Sequence, residues 1–244
     1  MKPFWPEISE LNILWTGHIP LNSIKWTLDS SKHFTFSSSF KHRRVTLWEF
    51  MINKYPKIYD GTLLVLDNFF IEDATINLIM RSMKFSQVLV YIRDKLQLPE
   101  SLGPLGVQFL ITNPLKTHIL IGKRANASEY MPGALAQPGG MFEMSDIETS
   151  VLDACLRELH EEVNLEVNEE TMTLLALYRE YNLIGSNILV EVVTDEDFSE
   201  KELTQQKIEG NEEWKSNQLW WFPLSRICEL NPQQIMEGLA FLQK

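Results

Sequence analysis

Residues 157–165 read Arg157-Glu158-Leu159-His160-Glu161-Glu162-Val163-Asn164-Leu165, and seventeen positions before Arg157 stands the second glycine of Gln137-Pro138-Gly139-Gly140. Leu159 and Val163 are one helical turn apart, and Leu152, Cys155 and Leu156 carry the same apolar stripe back along the chain. This spacing predicts a helix over 147–163. Ser145 followed by Glu148 has the form of a capping box at its start, and Asn164 suits the left-handed residue that ends a helix. Such a helix turns Arg157, Glu158, Glu161 and Glu162 towards its polar side. Carboxylates this close repel by roughly 0.2–0.5 kcal/mol per pair, a penalty that a divalent cation removes. A small set of hard oxygen donors suits Mg²⁺, with Mn²⁺ as the alternative.

The charge distribution sets this run apart. The 244 residues carry 22 Lys and Arg against 33 Asp and Glu, net −11. Residues 1–140 are net basic, whereas residues 141–170 hold ten acidic side chains against Arg157 alone. A second acidic stretch, 191–213, sets nine carboxylates against Lys201 and Lys207. A chain this acidic repels a polyanion, so no nucleic-acid partner is expected. The second stretch reads as solvated surface. Glu209, Glu212 and Glu213 within it could supply a supplementary base, without support from spacing.

Outward from the helix, the chain alternates strand-like and helical runs. Strands are predicted at 11–16, 23–28, 62–66 and 74–80, with helices at 43–55 and 85–96. The segment Pro99-Glu-Ser-Leu-Gly-Pro104 is the natural boundary, dividing the chain into an N-terminal α/β domain, 1–102, and a second domain, 103–244. Gly106–Thr112 and His118–Lys123 read as paired strands around Asn113-Pro114. Further strands are predicted at 171–178, 187–193 and 218–222, and a last helix from Pro232 to Phe241. The class is α/β, a layered sandwich. The first ten residues lack the apolar core of a signal peptide, no run is long enough for a membrane helix, and Cys155 and Cys228 read as buried small hydrophobes. A cytoplasmic protein without membrane association is expected.

Gly139-Gly140 with the run from Arg157 to Leu165 resembles the Nudix box, G-x5-E-x7-R-E-U-x-E-E-x-G-U with U aliphatic. The loop between Gly140 and Arg157 is three residues longer than in the box, whose isolated Glu, counted back from Arg157, falls on Thr149 beside Glu148. Asn164 replaces the last Gly. The resemblance implies a Nudix α/β/α sandwich preceded by the smaller N-terminal α/β domain. It implies a Nudix diphosphatase, which hydrolyses a nucleoside diphosphate linked to another group. Glu158 and Glu162 would hold the metal, Glu161 would assist with metal or water, and Arg157 would orient a carboxylate.

A wider set of landmarks resembles the branch that hydrolyses UDP-glucose and related UDP-sugars. They are Trp48-Glu49, Pro56-Lys-Ile-Tyr-Asp-Gly61, Leu105-Gly-Val107, Lys123-Arg124, Met131-Pro-Gly133, Pro138-Gly-Gly140 and the Glu-Val-Asn-Leu ending at 162–165. That resemblance implies cleavage of UDP-sugar to UMP and sugar 1-phosphate. Tyr59 and Phe85 would contact the nucleotide, Arg124 a phosphate or sugar hydroxyl, and Glu129, Ala136, Met141 and Glu143 would line the pocket. Tyr59 reads equally as a packing aromatic, and Phe85 as core. The alternatives are another nucleoside diphosphate derivative such as ADP-ribose, and a non-catalytic ligand-sensing module on the same fold.

Overall fold

The computed structural model describes residues 12–56, 58–96, 98, 101–124, 131–180, 184–195, 219–231 and 234–243. At its centre lies β5 (Gly103–Thr112), whose ten residues are all buried, as a run broken in its interior only by Gln108 requires of a strand covered on both faces. One edge of β5 pairs in parallel with β10 (Ser186–Val193) along its length. The opposite edge is shared by three partners in turn. β3 (Thr62–Glu72) meets Gly103 and Pro104, β8 (Gly139–Met141) meets residues 106–108, and β6 (His118–Lys123) meets Thr112. The expected hairpin at Asn113-Pro114 therefore forms but splays at once, and β6 goes on to pair with β7 (Leu135–Ala136) and β11 (Leu219–Pro223).

Beyond β10 the sheet continues through β9 (Met172–Arg179) to β1 (Asn12–Pro20). Beyond β3 it continues through β4 (Thr75–Lys84) to β2 (Ile24–Leu28). The stretches before and after residue 102 thus share one hydrogen-bonded sheet. β1 and β2, at the two ends of the path, are joined by a three-residue 3-10 turn, Leu21–Ser23. Two helices before β5 pack on each other through Leu47, Met51, Leu89 and Val90. They are α1 (Ser38–Lys54), capped by the Ser37 hydroxyl, and α2 (Phe85–Asp94). This is the expected mixed α/β class, a sheet with flanking helices. No helix among the described residues is long and apolar enough to cross a membrane.

Several local expectations need correction. The strand expected from Ala74 starts at Thr75, because Asp73 and Ala74 both take left-handed φ values, 47° and 61°, and form the two-residue turn of a long β3–β4 hairpin. The last helix, α4, is Glu237–Phe241, starting after Met236; Pro232 lies outside the described residues. Cys228 is exposed on the 3-10 turn Leu224–Glu229, since that short turn buries only Ile227, whereas Cys155 is buried as expected.

The helix carrying the carboxylates, α3, spans Val151–Val163. It starts four residues later than its periodicity suggests. Ser150 caps it, its hydroxyl accepting from Asp153 N at 3.0 Å while the Asp153 carboxylate accepts from Ser150 N at 3.1 Å. Residues 144–148 form a separate 3-10 turn, so the Ser145–Glu148 pair does not cap α3. Asn164 ends the helix at φ 49°, ψ 36°, its N–H donating to His160 O.

Candidate active site

Along α3 the residues Val151, Ala154, Cys155, Leu159 and Val163 enter the main core beneath the sheet. Glu158 is seven residues from Val151 and four from Ala154, so helical geometry turns it to the buried side rather than the polar side expected. Its residue is only 5% exposed. Gly140 admits it. A Cβ on Gly140 would stand 1.8 Å from Glu158 Oε2 and 2.5 Å from its Cδ, so the carboxylate rests directly on the Gly140 backbone. β8 is held there by pairing with β5, Gly140 opposite Val107.

Burial penalises the ionised Glu158 most, and Glu161 and Asp146 add like charge. Arg157 opposes both, and the carboxyl settles at about 7. Arg157 is the hub of the cluster. Its Nε and Nη2 donate to Asp146 Oδ1 and Oδ2 at 3.0 and 2.7 Å, Nη2 also donates to Glu158 Oε1 at 2.8 Å, and Nη1 donates to Glu161 Oε2 at 2.6 Å. Burial works against the Arg157 charge, but the surrounding carboxylates hold its pKa above the ordinary arginine value. Glu161 and Glu162 are half-buried one position apart at the end of the helix, and His160 between the carboxylates is exposed.

Counting back from Arg157 does not find Asp146. Counted forward, it stands six positions after Gly140, where the box has its isolated Glu, so the three extra residues fall between Asp146 and Arg157. Arg157 is hydrogen-bonded or ion-paired to Asp146, Glu158 and Glu161, and to neither Thr149 nor Glu148. Asp146, itself buried, also accepts from Glu143 N at 2.8 Å. The segment before residue 102 buttresses this turn from the other side. Trp26 Nε1 on β2 donates to Thr149 O at 2.9 Å, its ring packs edge-on against Phe142 at 5.3 Å, and Leu64 N donates to Phe142 O.

Of the expected nucleotide contacts, Tyr59 reaches the cluster: its hydroxyl donates to Glu143 Oε1. The residue is 62% exposed, and desolvation of its hydroxyl followed by the Glu143 carboxylate pushes its pKa up to about 12. Met141 lies on β8 opposite Gly106, and Ala136 is buried on β7 opposite Gly122. Arg124 follows β6, its backbone bonded to Ala134 and Gly133. Phe85 heads α2 and packs edge-on against Trp48 at 6.4 Å, within the helix-packing core, and its N–H donates to Gly61 O beside the Tyr59 loop. Glu129, Glu209, Glu212 and Glu213 lie outside the described residues.

Among the described residues, no group of three or more His, Cys, Asp and Glu side chains is spaced to hold a metal by itself. The donor chemistry fits a hard divalent cation that takes few protein ligands and completes its shell with water and phosphate oxygens. The Glu158 carboxylate, stripped of solvent and pressed into the Gly140 cradle, is a group whose burial such a cation offsets.

A family model described as the NUDIX domain matches residues 104–239. No curated protein matches the sequence. Solved structures similar to the chain include a MutT structure described for Aliivibrio salmonicida and Vibrio cholerae, at 19% identity and TM-score 0.37, covering 57% of this chain and 96% of that one. The NUDIX domain of Shewanella oneidensis NrtR complexed with ADP ribose is 14% identical, with TM-score 0.41 and coverage of 58% and 84%. A bifunctional NMN adenylyltransferase/ADP ribose pyrophosphatase from Francisella tularensis, complexed with AMP and a Mn ion, is 21% identical, with TM-score 0.40 and coverage of 63% and 43%.

Proposed function

Since the chain belongs to the NUDIX domain family and is a pyrophosphatase of that kind, we propose that its substrate is a UDP-sugar, hydrolysed in the cytoplasm to UMP and sugar 1-phosphate. The observation that supports this most is the exposed Tyr59 ring, anchored through Glu143 at the edge of the carboxylate cluster. An aromatic face beside a diphosphate site is what a pyrimidine can stack on. In this reading residues 1–102 form an N-terminal unit that shapes the nucleotide pocket, together with Arg124, Glu129, Ala136, Met141 and Glu143, and with Phe85 acting from behind the Tyr59 loop.

Glu158 and Glu162 would hold Mg²⁺ or Mn²⁺, whose chemistry is to neutralise diphosphate oxygens and acidify bound water. Glu161, the most exposed carboxylate that Arg157 holds, takes the proton of the attacking water. Arg157 keeps the glutamates in register while Asp146 fixes Arg157. The test is hydrolysis of UDP-glucose and ADP-ribose with Mg²⁺, products resolved by ion-exchange chromatography, with Glu162→Gln as control. UMP and glucose 1-phosphate are expected, and no turnover from the variant. Consumption of ADP-ribose alone overturns the UDP-sugar assignment; undiminished turnover by Glu162→Gln overturns the assignment of the metal ligands.

A further inference from the structure

One nitrogen is contested at the centre of the cluster. Arg157 Nη2 donates both to Asp146 Oδ2, at 2.7 Å, and to Glu158 Oε1, at 2.8 Å. The firmer its hold on Asp146, the freer Glu158 is to serve a cation. Asp146 Oδ2 is in turn fixed by Glu143 N, and the Glu143 carboxylate is fixed by the Tyr59 hydroxyl. A chain of hydrogen-bonded residues therefore runs from an exposed aromatic ring, through Glu143, Asp146 and Arg157, to the buried carboxylate of Glu158. Its outer end is tightly fitted: a Cβ on Gly61 would stand 2.8 Å from Tyr59 Oη and 3.2 Å from Glu143 Oε1.

We propose that Tyr59, Glu143 and Asp146 are positioning residues that couple nucleobase binding to metal binding. A base stacked on Tyr59 immobilises its ring and hydroxyl. Holding the Glu143–Asp146 turn still favours Asp146 in the competition for the shared Arg157 Nη2, which loosens the bond of that nitrogen to Glu158 and leaves the glutamate freer for a cation. The site becomes fully metal-competent when a nucleotide is present. This rests on the reading of the site as a metal-dependent nucleotide diphosphatase, and extends it from which groups bind to how one binding event prepares the other. Coupling of this kind is reciprocal: whatever factor the base adds to metal affinity, the metal adds to base affinity.

Nucleosides test it, because uridine and adenosine have no phosphate with which to touch the metal. Mn²⁺ affinity of the full chain is titrated by electron paramagnetic resonance without nucleoside and with saturating uridine or adenosine. Uridine is expected to tighten Mn²⁺ binding by about three- to tenfold, the size of one or two hydrogen bonds gained or lost. Tyr59→Phe removes the hydroxyl and keeps the ring. Gly61→Ala wedges Tyr59 from Glu143 without touching the metal site. Both should reduce the ratio of the two Mn²⁺ affinities to near one, whatever they do to melting temperature. Asp146→Asn should weaken Mn²⁺ binding with and without nucleoside. A native ratio of one with both nucleosides, or a native ratio preserved in Tyr59→Phe, overturns the coupling. A shift with adenosine alone sustains it and overturns the uridine assignment. Failure of the native chain to hydrolyse either UDP-glucose or ADP-ribose tells against the diphosphatase reading, whereas the coupling stands or falls on the Mn²⁺ ratio alone.

Discussion

The contact between Gly140 and Glu158 makes the sharpest prediction, for Gly140→Ala. An alanine Cβ would lie 1.8 Å from Glu158 Oε2, where ordinary contact begins at 3.4 Å. The carboxylate must therefore give way by about 1.6 Å. β8 is pinned to the fully buried β5 and Glu158 is enclosed by the core, so neither side yields freely. Overpacking of this kind costs about 1–3 kcal/mol, or a fall of roughly 2–10 °C in melting temperature for a chain of this size. Displacing the carboxylate proposed to hold the metal by more than 1 Å should cost on the order of 100-fold in kcat. Activity is followed by release of UMP from UDP-glucose, or of AMP from ADP-ribose, and stability by circular dichroism. Combining the change with Glu158→Asp shortens the arm by about 1.5 Å. The double variant should regain most of the lost melting temperature and none of the activity. If Gly140→Ala melts with the native protein and keeps about a third or more of its kcat, the cradle is not what places Glu158, and the reasoning fails.

Two further outcomes follow from the same helix. Glu158 titrates at about 7 against an ordinary 4.5, so the metal-free native state holds a proton that the unfolded chain has released, and its stability falls as pH rises from about 4.5 to 7. The loss is at most about 3 kcal/mol; comparing denaturant midpoints of the native chain and Glu158→Gln across that range isolates it, since only the native chain should show the step. Asn164→Gly, which accepts the φ of 49° without strain, should leave the chain as stable or up to about 1 kcal/mol more stable, whereas Asn164→Val should cost about 1–2 kcal/mol, both measured by thermal melts.

Periodicity makes the end of α3 legible, because Val163 and Asn164 obey local rules of stripe and cap. Its beginning is not legible in the same way. Ser145 and Glu148 satisfy the same local pattern as Ser150 and Asp153, and the choice is made by Asp146, which Arg157 draws into a separate turn. That selection is a contact across eleven residues, invisible to a window of four. The charge run locates the glutamates but not their exposure, since burial of Glu158 depends on a glycine eighteen positions earlier on a different strand. Trp26 reads from its neighbours only as a strand residue, because its bond to Thr149 O spans 123 residues. Cys228 follows the apolar Ile227, yet a six-residue 3-10 segment that buries Ile227 alone has too narrow a buried face to include it.

β1 leaves the ribosome long before the partner that completes it, β9, whose Arg179 lies opposite Asn12. During synthesis this strand must wait, unpaired, until about 160 further residues have been made. β2, only a short turn away, finds β4 much sooner. The nascent chain thus holds a tethered strand with no partner beside a hairpin whose own strands are all synthesised, and β1 can dock only after β9, which itself joins the rest of the sheet through β10, has been made.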